Sequence, residues 1–323
     1  MTRYFYGASH EEFPPEALLR QVVAAERAGF DGFGCSDHLQ PWWEPGESGH
    51  AWAWLGAAAQ ATGKVPFGTA VTPPGARHHP ALIAQAWMTF ERMFPGRPYL
   101  GIGSGEARNE VPVGDVWPSP DDQVARLDEA LDIIDRLWKG ETITQDGHFR
   151  LKDCKLHTLA DRRPPIWVSA FGPKAAEVAA RRGNGLWTLP DPESTPDLID
   201  AWREAGGDGE IVFQALVSWA PTDEEAVEQA RKWKGAQPAD HYTGDWHEPR
   251  AMYEHGEQEM SDEEFAQNIV AASDPEEIVD RLRELEKLGA TVITLQNNSA
   301  GNADKAVEVL GEKVLPALRG ARV

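Results

Sequence analysis

The stretch Ser36-Asp37-His38-Leu39-Gln40-Pro41-Trp42-Trp43 puts an acid, an imidazole, a proline and two indoles directly after the apolar run Phe30–Cys35. A hydrophobic core has no use for that mixture. A pocket that moves a proton beside a flat ligand does. His38 can take or give a proton near neutral pH. An isolated histidine often does no more than bond a neighbouring backbone group; the strand-end position between Asp37 and Trp42 favours chemistry here. A second candidate is Gly101-Ile102-Gly103-Ser104-Gly105-Glu106-Ala107-Arg108-Asn109-Glu110. Glycines at alternate positions let the backbone come close to a ligand. Glu106, poorly solvated beside a planar ligand, is expected to hold its proton tightly and so to suit an acid; the other reading is a solvated Glu106 on a glycine-rich turn.

Other residues carry weaker signals. Ser169–Lys174 ends a strand and enters a helix, where backbone amides with Gly172 and Lys174 can hold an anion such as a phosphate; an ordinary strand–helix turn explains the stretch equally well. His78 and His79 are adjacent, so their side chains diverge, and no third ligand stands at a characteristic spacing. No metal site is expected. Cys35 falls inside a strand and reads as packing rather than as a nucleophile. Trp42, Trp43, Trp52 and Trp54 lie around the same loop and can line a pocket. Neither a Gly-x-Ser-x-Gly elbow nor a phosphate-binding P-loop is present.

These residues need a scaffold. Short apolar runs alternate with amphipathic stretches. Strands are expected at Arg3–Ser9, Phe30–Ser36, Val65–Val71, Pro98–Ile102, Ile166–Ala170, Gly185–Leu189, Glu210–Ser218 and Thr291–Leu295. Helices are expected between them at Pro14–Ala28, His50–Ala61, Pro80–Met93, Pro173–Arg182 and Pro196–Glu204, with a last one at Ala303–Leu318. The helix from Ser119 carries the clearest signals: a serine cap, Pro120 in the first turn, Asp121 and Asp122 at the positive end, and apolar Val124, Leu127, Leu131, Ile134 and Trp138 on one face. Gly140 closes it as a left-handed cap. Ser273 to Glu276 fits a capping box for a further helix ending at Gly289. Two stretches break the rhythm, 142–165 and 220–268, and read as insertions.

Eight strand–helix units imply parallel pairing and an α/β (β/α)8 TIM barrel, one domain over residues 1–323 with those two insertions. An open doubly wound sheet is the alternative, but no Gly-x-Gly-x-x-Gly opens the first helix. In a barrel the strand ends gather Glu11, Asp37, His38, Trp42, Ala70, Val71, Glu106 and the Ser169–Lys174 turn at one mouth.

Composition bounds the setting. Acidic residues outnumber basic ones 52 to 31, for a formal net charge of −21. Such a surface repels phosphate backbones, so no nucleic-acid partner is expected. It also suits a salty, halophilic cytoplasm, where screening relieves self-repulsion. The 41% hydrophobic content supports a sizeable core. No membrane-spanning run or secretory signal is expected. Two cysteines fit a reducing, cytoplasmic compartment.

Together these motifs resemble the luciferase-like barrel superfamily. Within it they resemble the deazaflavin-dependent (coenzyme F420) dehydrogenases, above all the F420-dependent glucose-6-phosphate dehydrogenase group. The resemblance rests on Ser36–Trp42 and Gly103–Glu110. It extends to Gly68–Val71, Pro80–Ala86 and Ala271–Pro275, and is weakest in 220–268. It implies coenzyme F420 as cofactor, hydride transfer from a CH–OH group of a small-molecule sugar, sugar phosphate or secondary alcohol, and a homodimer. It implies that His38 takes the substrate proton, Trp42 stacks near the reacting centre and Glu106 protonates the ring as hydride arrives, with the order of His38 and Glu106 as bases left open. It places Asp37, Ala70, Val71, Ser104, Gly105, Asn109, Phe171, Gly172 and Lys174 along the cofactor, Ala70–Val71 as a non-prolyl cis peptide. Glu11, Leu189, Pro192 and Gln267 fall toward the substrate. The family's phosphate-holding lysines are replaced here by Pro192 and Gln267, which points away from glucose 6-phosphate and toward an uncharged sugar, polyol or secondary alcohol. A flavin-dependent monooxygenase of the same superfamily and a non-catalytic F420-binding protein are the alternatives.

Overall fold

The computed structural model describes residues 1–320. Strands β1 (Arg3–Ala8), β2 (Gly32–Cys35), β3 (Phe67–Thr69) and β4 (Pro98–Ile102) pair in parallel in chain order. A hairpin of β5 (Ile143–Asp146) and β6 (Arg150–Cys154) interrupts them. Then come β7 (Ile166–Ser169), β8 (Gly185–Thr188), β9 (Glu210–Trp219), β10 (Val270–Ala272) and β11 (Val292–Asn297). β11 pairs with β1, and β8 pairs with β9, so the sheet closes. The result is an eight-strand parallel barrel in the order β1-β2-β3-β4-β7-β8-β9-β11, as the alternation of elements predicts. β10 pairs with the end of β9 on the side away from β11. It was not expected, because three residues leave too little periodicity to read.

The bore is solid. Phe5, Tyr99, Trp167 and Trp187 pack inside it with Val212 and Val292, and the Tyr99 and Trp167 rings stack at 4.1 Å. Glycines make room for these rings: a Cβ on Gly32 would lie 2.5 Å from the Phe5 ring, and one on Gly34 would lie 2.5 Å from the Tyr99 hydroxyl. With the bore filled, a ligand site is confined to the mouth formed by the strand ends.

Several helix boundaries fall where local chemistry puts them. Ser119 Oγ caps Pro120–Trp138 by accepting from Asp122 N, and Gly140 has φ +82. Two local readings need correction. The cap of Pro275–Lys287 is Asp274, which accepts from Glu276 N, whereas Ser273 N donates to Asp223 instead. The last helix is interrupted by a π-turn at Leu310–Val314 between Ala303–Val309 and Leu315–Leu318.

The 142–165 excursion holds the hairpin, whose Phe149 and Leu151 join the main core. The 220–268 insertion is largely helical and builds a second apolar cluster. Trp233, Met252 and Phe265 pack there with Trp42 and Trp43 from the β2 loop. That loop is therefore clamped between barrel and insertion. Among the described residues no helix is long and apolar enough to cross a membrane.

Candidate active site

β2 delivers Ser36, Asp37 and His38 to the mouth, and the loop Ser9–Phe13 after β1 brings Glu11 beside them. His38 Nε2 lies 3.0 Å from Glu11 Oε1, and Ser36 Oγ donates to Glu11 Oε2 at 2.7 Å. Glu11 is buried behind the imidazole, with its oxygens on His38 and Ser36 rather than on the pocket surface. On the other side, His38 Nδ1 lies 3.4 Å from Glu106 Oε2. Asn109 Nδ2 and Arg108 Nη2 also reach Nδ1. In the neutral form Nε2–H donates to Glu11 and Nδ1 accepts; in the protonated form Nδ1–H faces Glu106. Burial and Arg108 lower the pKa of His38, but Glu11 and Glu106 outweigh them and raise it overall.

Arg108 is the residue that sequence reasoning did not single out. Its side chain is fully buried, and both Nε and Nη2 lie 2.9 Å from Glu106 Oε2. Nη1 donates to the Gln40 carbonyl. The guanidinium sits 3.5 Å from the centroid of the Trp42 ring, a cation–π contact. This overturns the expected state of Glu106. Burial does act to raise its pKa, but the charge of Arg108 and then that of His38 pull it down to about 2. Glu11 is likewise held near 2: burial is opposed by the charge and hydrogen bond of His38 and by Arg108. Glu106 is thus an ionised carboxylate here, not a stored proton. The available signal was a lone arginine between Glu106 and Asn109 at a strand end, where a buried acid needs a counter-charge.

Both carboxylate oxygens of Asp37 are hydrogen-bonded within the protein. Its Oδ2 accepts from Thr72 Oγ1 at 2.6 Å and Trp52 Nε1 at 3.0 Å, and its Oδ1 accepts from Arg77 Nη1 at 2.8 Å. Burial works against its charge, yet the His78 hydrogen bond and the Arg77 charge hold it well below the usual carboxylate range. His78 stacks on Trp52 at 4.2 Å, and His79 caps Pro80–Met93, so the pair diverges as adjacent residues should. Trp54 belongs to the core and donates to Pro15 O. Cys35 is buried, with its thiol pushed up by burial.

The cofactor candidates form a shelf. Ala70 and Val71 are joined by a cis peptide, and together with Leu189 they cover the aromatic plug of the bore as half-buried apolar groups. Gly103 approaches so closely that a Cβ would stand 2.8 Å from Val71 Cγ2. Gly105, at φ +93, and half-buried Ser104 lead from the shelf to Glu106. Asn109 Oδ1 accepts from Leu39 N at 2.8 Å, which ties the two motif loops together. Phe171 is half exposed, Gly172 caps Pro173–Arg182 with open space around it, and exposed Lys174 pairs with Asp121 at 2.7 Å. Pro192 is exposed in a turn where Asp191 Oδ1 accepts from Glu193 N and Ser194 N. Gln267 is exposed near the end of Asp262–Asn268. Neither is bonded to the His38 cluster.

The insertion supplies a wall. Tyr242 lies 5.4 Å from Trp42 and 5.3 Å from Phe171, ring to ring. Trp43 meets Trp233 edge-on at 4.9 Å. Trp233 Nε1 donates to Glu12 Oε2 at 2.7 Å, and Lys232 Nζ lies 3.1 Å from Glu12 Oε1. Tyr242 was not foreseen, because no periodicity marks a single-turn element.

A closed eight-strand parallel barrel is the luciferase-like fold. The chain belongs to the luciferase-like monooxygenase family, whose model matches residues 2–292. It is 35% identical to an F420-dependent glucose-6-phosphate dehydrogenase of Microbacterium testaceum, covering 98% of this chain and 97% of that one. It is 36% identical to one of Beutenbergia cavernae, over 99% and 98%. Among solved structures it is similar to an F420-dependent secondary alcohol dehydrogenase in complex with an F420-acetone adduct, at 32% identity and TM-score 0.91, covering 98% and 99% of the two chains.

Proposed function

We propose that this protein is an F420-dependent dehydrogenase that oxidises a CH–OH group of an uncharged polyol, sugar or secondary alcohol. The observation that carries this reading is the juxtaposition of His38, buttressed by Glu11, with the half-buried shelf of Ala70, Val71 and Leu189. The shelf fits a flat deazaflavin: apolar, partly open, and bordered by Gly103 and Gly105, where side chains would intrude. When bound, the deazaflavin supplies the hydride acceptor.

The protein's own work is proton handling. Oxidising an alcohol requires its hydroxyl proton to leave as hydride leaves the carbon. His38 can take that proton at Nδ1, and Glu11 then stabilises the imidazolium through Nε2–H. Glu106 faces the same nitrogen and adds a second negative charge. As an ionised carboxylate it donates nothing, so any later proton delivery by Glu106 first requires release from Arg108. Trp42 and Tyr242 keep water away from the imidazole.

Substrate charge follows from the rim. The turn after β8 carries Asp191, Pro192 and Glu193, two carboxylates and no lysine or arginine of its own to meet a phosphate. The inward faces of β9 and β11 carry the neutral amides Gln214 and Gln296, bonded to each other, and the unpartnered hydroxyl of Ser218. Those groups match hydroxyls better than a dianion. The similarity to a secondary alcohol dehydrogenase agrees with this.

Two measurements test the proposal. Fluorescence titration with F420 and with FMN should show tighter binding of F420. An alcohol and sugar panel, read as loss of F420 absorbance, should favour neutral substrates over glucose 6-phosphate. Preferential FMN binding with oxygen-dependent turnover would replace this reading by a flavin monooxygenase. Binding of F420 without turnover of any substrate would leave a cofactor-binding protein.

A further inference from the structure

A second cluster of chemistry-bearing side chains lies in the insertion, apart from the His38 network. His241, in the turn Ala239–Tyr242, points its Nε2 at His255 Nδ1, 2.9 Å away on the helix Pro249–Glu259. A ligand atom of Asp240 completes a set lying within 4.8 Å of one another. We propose that Asp240, His241 and His255 form a structural site for a divalent first-row transition metal, zinc being the natural occupant, with a water in the fourth position.

The outer contacts argue for a metal more than the cluster itself does. A ligating imidazole is normally held by an acceptor at its other nitrogen, and a ligating carboxylate by a donor. His241 and Asp240 have such a partner, and His255 has a carboxylate at ion-pair distance. His241 Nδ1 lies 2.9 Å from the Gly235 carbonyl, which fixes Nδ1–H and leaves Nε2 free to ligate. His255 Nε2 faces Glu259 Oε1 at 3.8 Å, one helical turn on. Trp246 Nε1 donates to Asp240 Oδ2 at 2.9 Å. Metal entry would replace the proton now shared between the rings: His255 releases it from Nδ1 and takes the Nε2–H tautomer toward Glu259.

The two imidazoles need little adjustment. Two nitrogens bound tetrahedrally to zinc lie about 3.3 Å apart, given bonds near 2.0 Å. The imidazoles would separate by a few tenths of an ångström. His241 is wholly buried. Asp240 is exposed and opens the site to solvent. Two imidazoles and one carboxylate select zinc, cobalt or nickel over magnesium or calcium. Bound there, the ion would pin the turn that carries Tyr242, and with it the wall against Trp42.

The test is a zinc titration of chelator-stripped full-length protein in excess Mg2+, which occupies loose surface carboxylates. Cobalt in parallel reports tetrahedral ligation by its visible absorption. One ion per chain is expected, with a rise in melting temperature. His255→Gln should weaken binding by at least about 100-fold, and Glu259→Gln by about 10-fold through its outer contact. Asp240→Asn, at an exposed position that leaves folding intact, should weaken binding by at least about 10-fold. Unchanged zinc affinity in both Asp240→Asn and His255→Gln would overturn the proposal. So would failure of the wild type to saturate below about 1 mM, the weak regime of solvent-exposed sites.

Discussion

Replacing Arg108 by leucine should expose how the proton-handling cluster is held together. The guanidinium is wholly buried, makes two 2.9 Å contacts with Glu106, reaches His38 and lies over Trp42. At about 3 Å and an effective dielectric near 20, one such charge pair is worth about 5 kcal/mol of Coulomb energy. Part of that is offset by the desolvation of the arginine itself, and removing one partner of a buried pair typically costs about 3–5 kcal/mol. We expect Arg108→Leu to lose about 3 kcal/mol at pH 8. The pH dependence is the sharper signature. In the wild type the pKa of Glu106 lies below its unfolded value of 4.5, at about 2. Its contribution is present above pH 4.5 and fades as pH falls toward 2. Without Arg108, burial dominates and the pKa of Glu106 rises above 4.5. The sign reverses: the variant loses stability as pH rises from about 5, whereas at pH 5 Glu106 can fold protonated. Urea unfolding at pH 5 and pH 8 measures both. A cost below about 1 kcal/mol, equal at the two pH values, would refute the argument that Arg108 balances the buried acids.

Other perturbations probe the same architecture. Glu11→Gln removes one of the two carboxylates that raise His38, so the acid limb of the kcat/KM profile should move to lower pH, while kcat falls because the imidazolium loses the negative charge of its acceptor; an unmoved limb would count against His38 as the base. In stability terms, the raised pKa of His38 contributes below pH 6.5 and is lost as pH climbs through the folded value, so Glu11→Gln should flatten that part of the curve. Trp233→Leu vacates the insertion cluster and strips a donor from buried Glu12; a loss of about 3 kcal/mol in thermal or urea unfolding is expected, and a loss under 1 would show that the insertion is not packed as described. With a net charge of −21, melting temperature should rise between 0.05 and about 2 M KCl as self-repulsion is screened, and a flat or falling trend would count against adaptation to salt.

How far the sequence reveals the molecule depends on the range of the forces involved. The helices Pro80–Met93 and Pro120–Trp138 begin at proline after a capping residue, a purely local code, and their bounds are legible residue by residue. Barrel closure follows from counting strand–helix units, because parallel neighbours leave few alternatives. Tertiary choices were hidden. The cap of Pro275–Lys287 moved one residue on to Asp274 because Ser273 is engaged by Asp223, fifty residues away. Glu106 looked like an acid from its glycines, yet its charge is set by an arginine two residues later that folds back beneath Trp42. Tyr242, and the pairing of His241 with His255, depend on the path of an insertion whose sequence shows no period.

Glu11 and Glu12 are consecutive, and their carboxylates serve opposite masters. One holds the imidazole of His38; the other is gripped by Lys232 and Trp233 of the insertion. A single peptide unit thus joins the insertion to the carboxylate beside His38. Changes at Lys232 or Trp233 in the insertion therefore bear on the position of Glu11, and through it on His38, while every residue at the mouth stays the same.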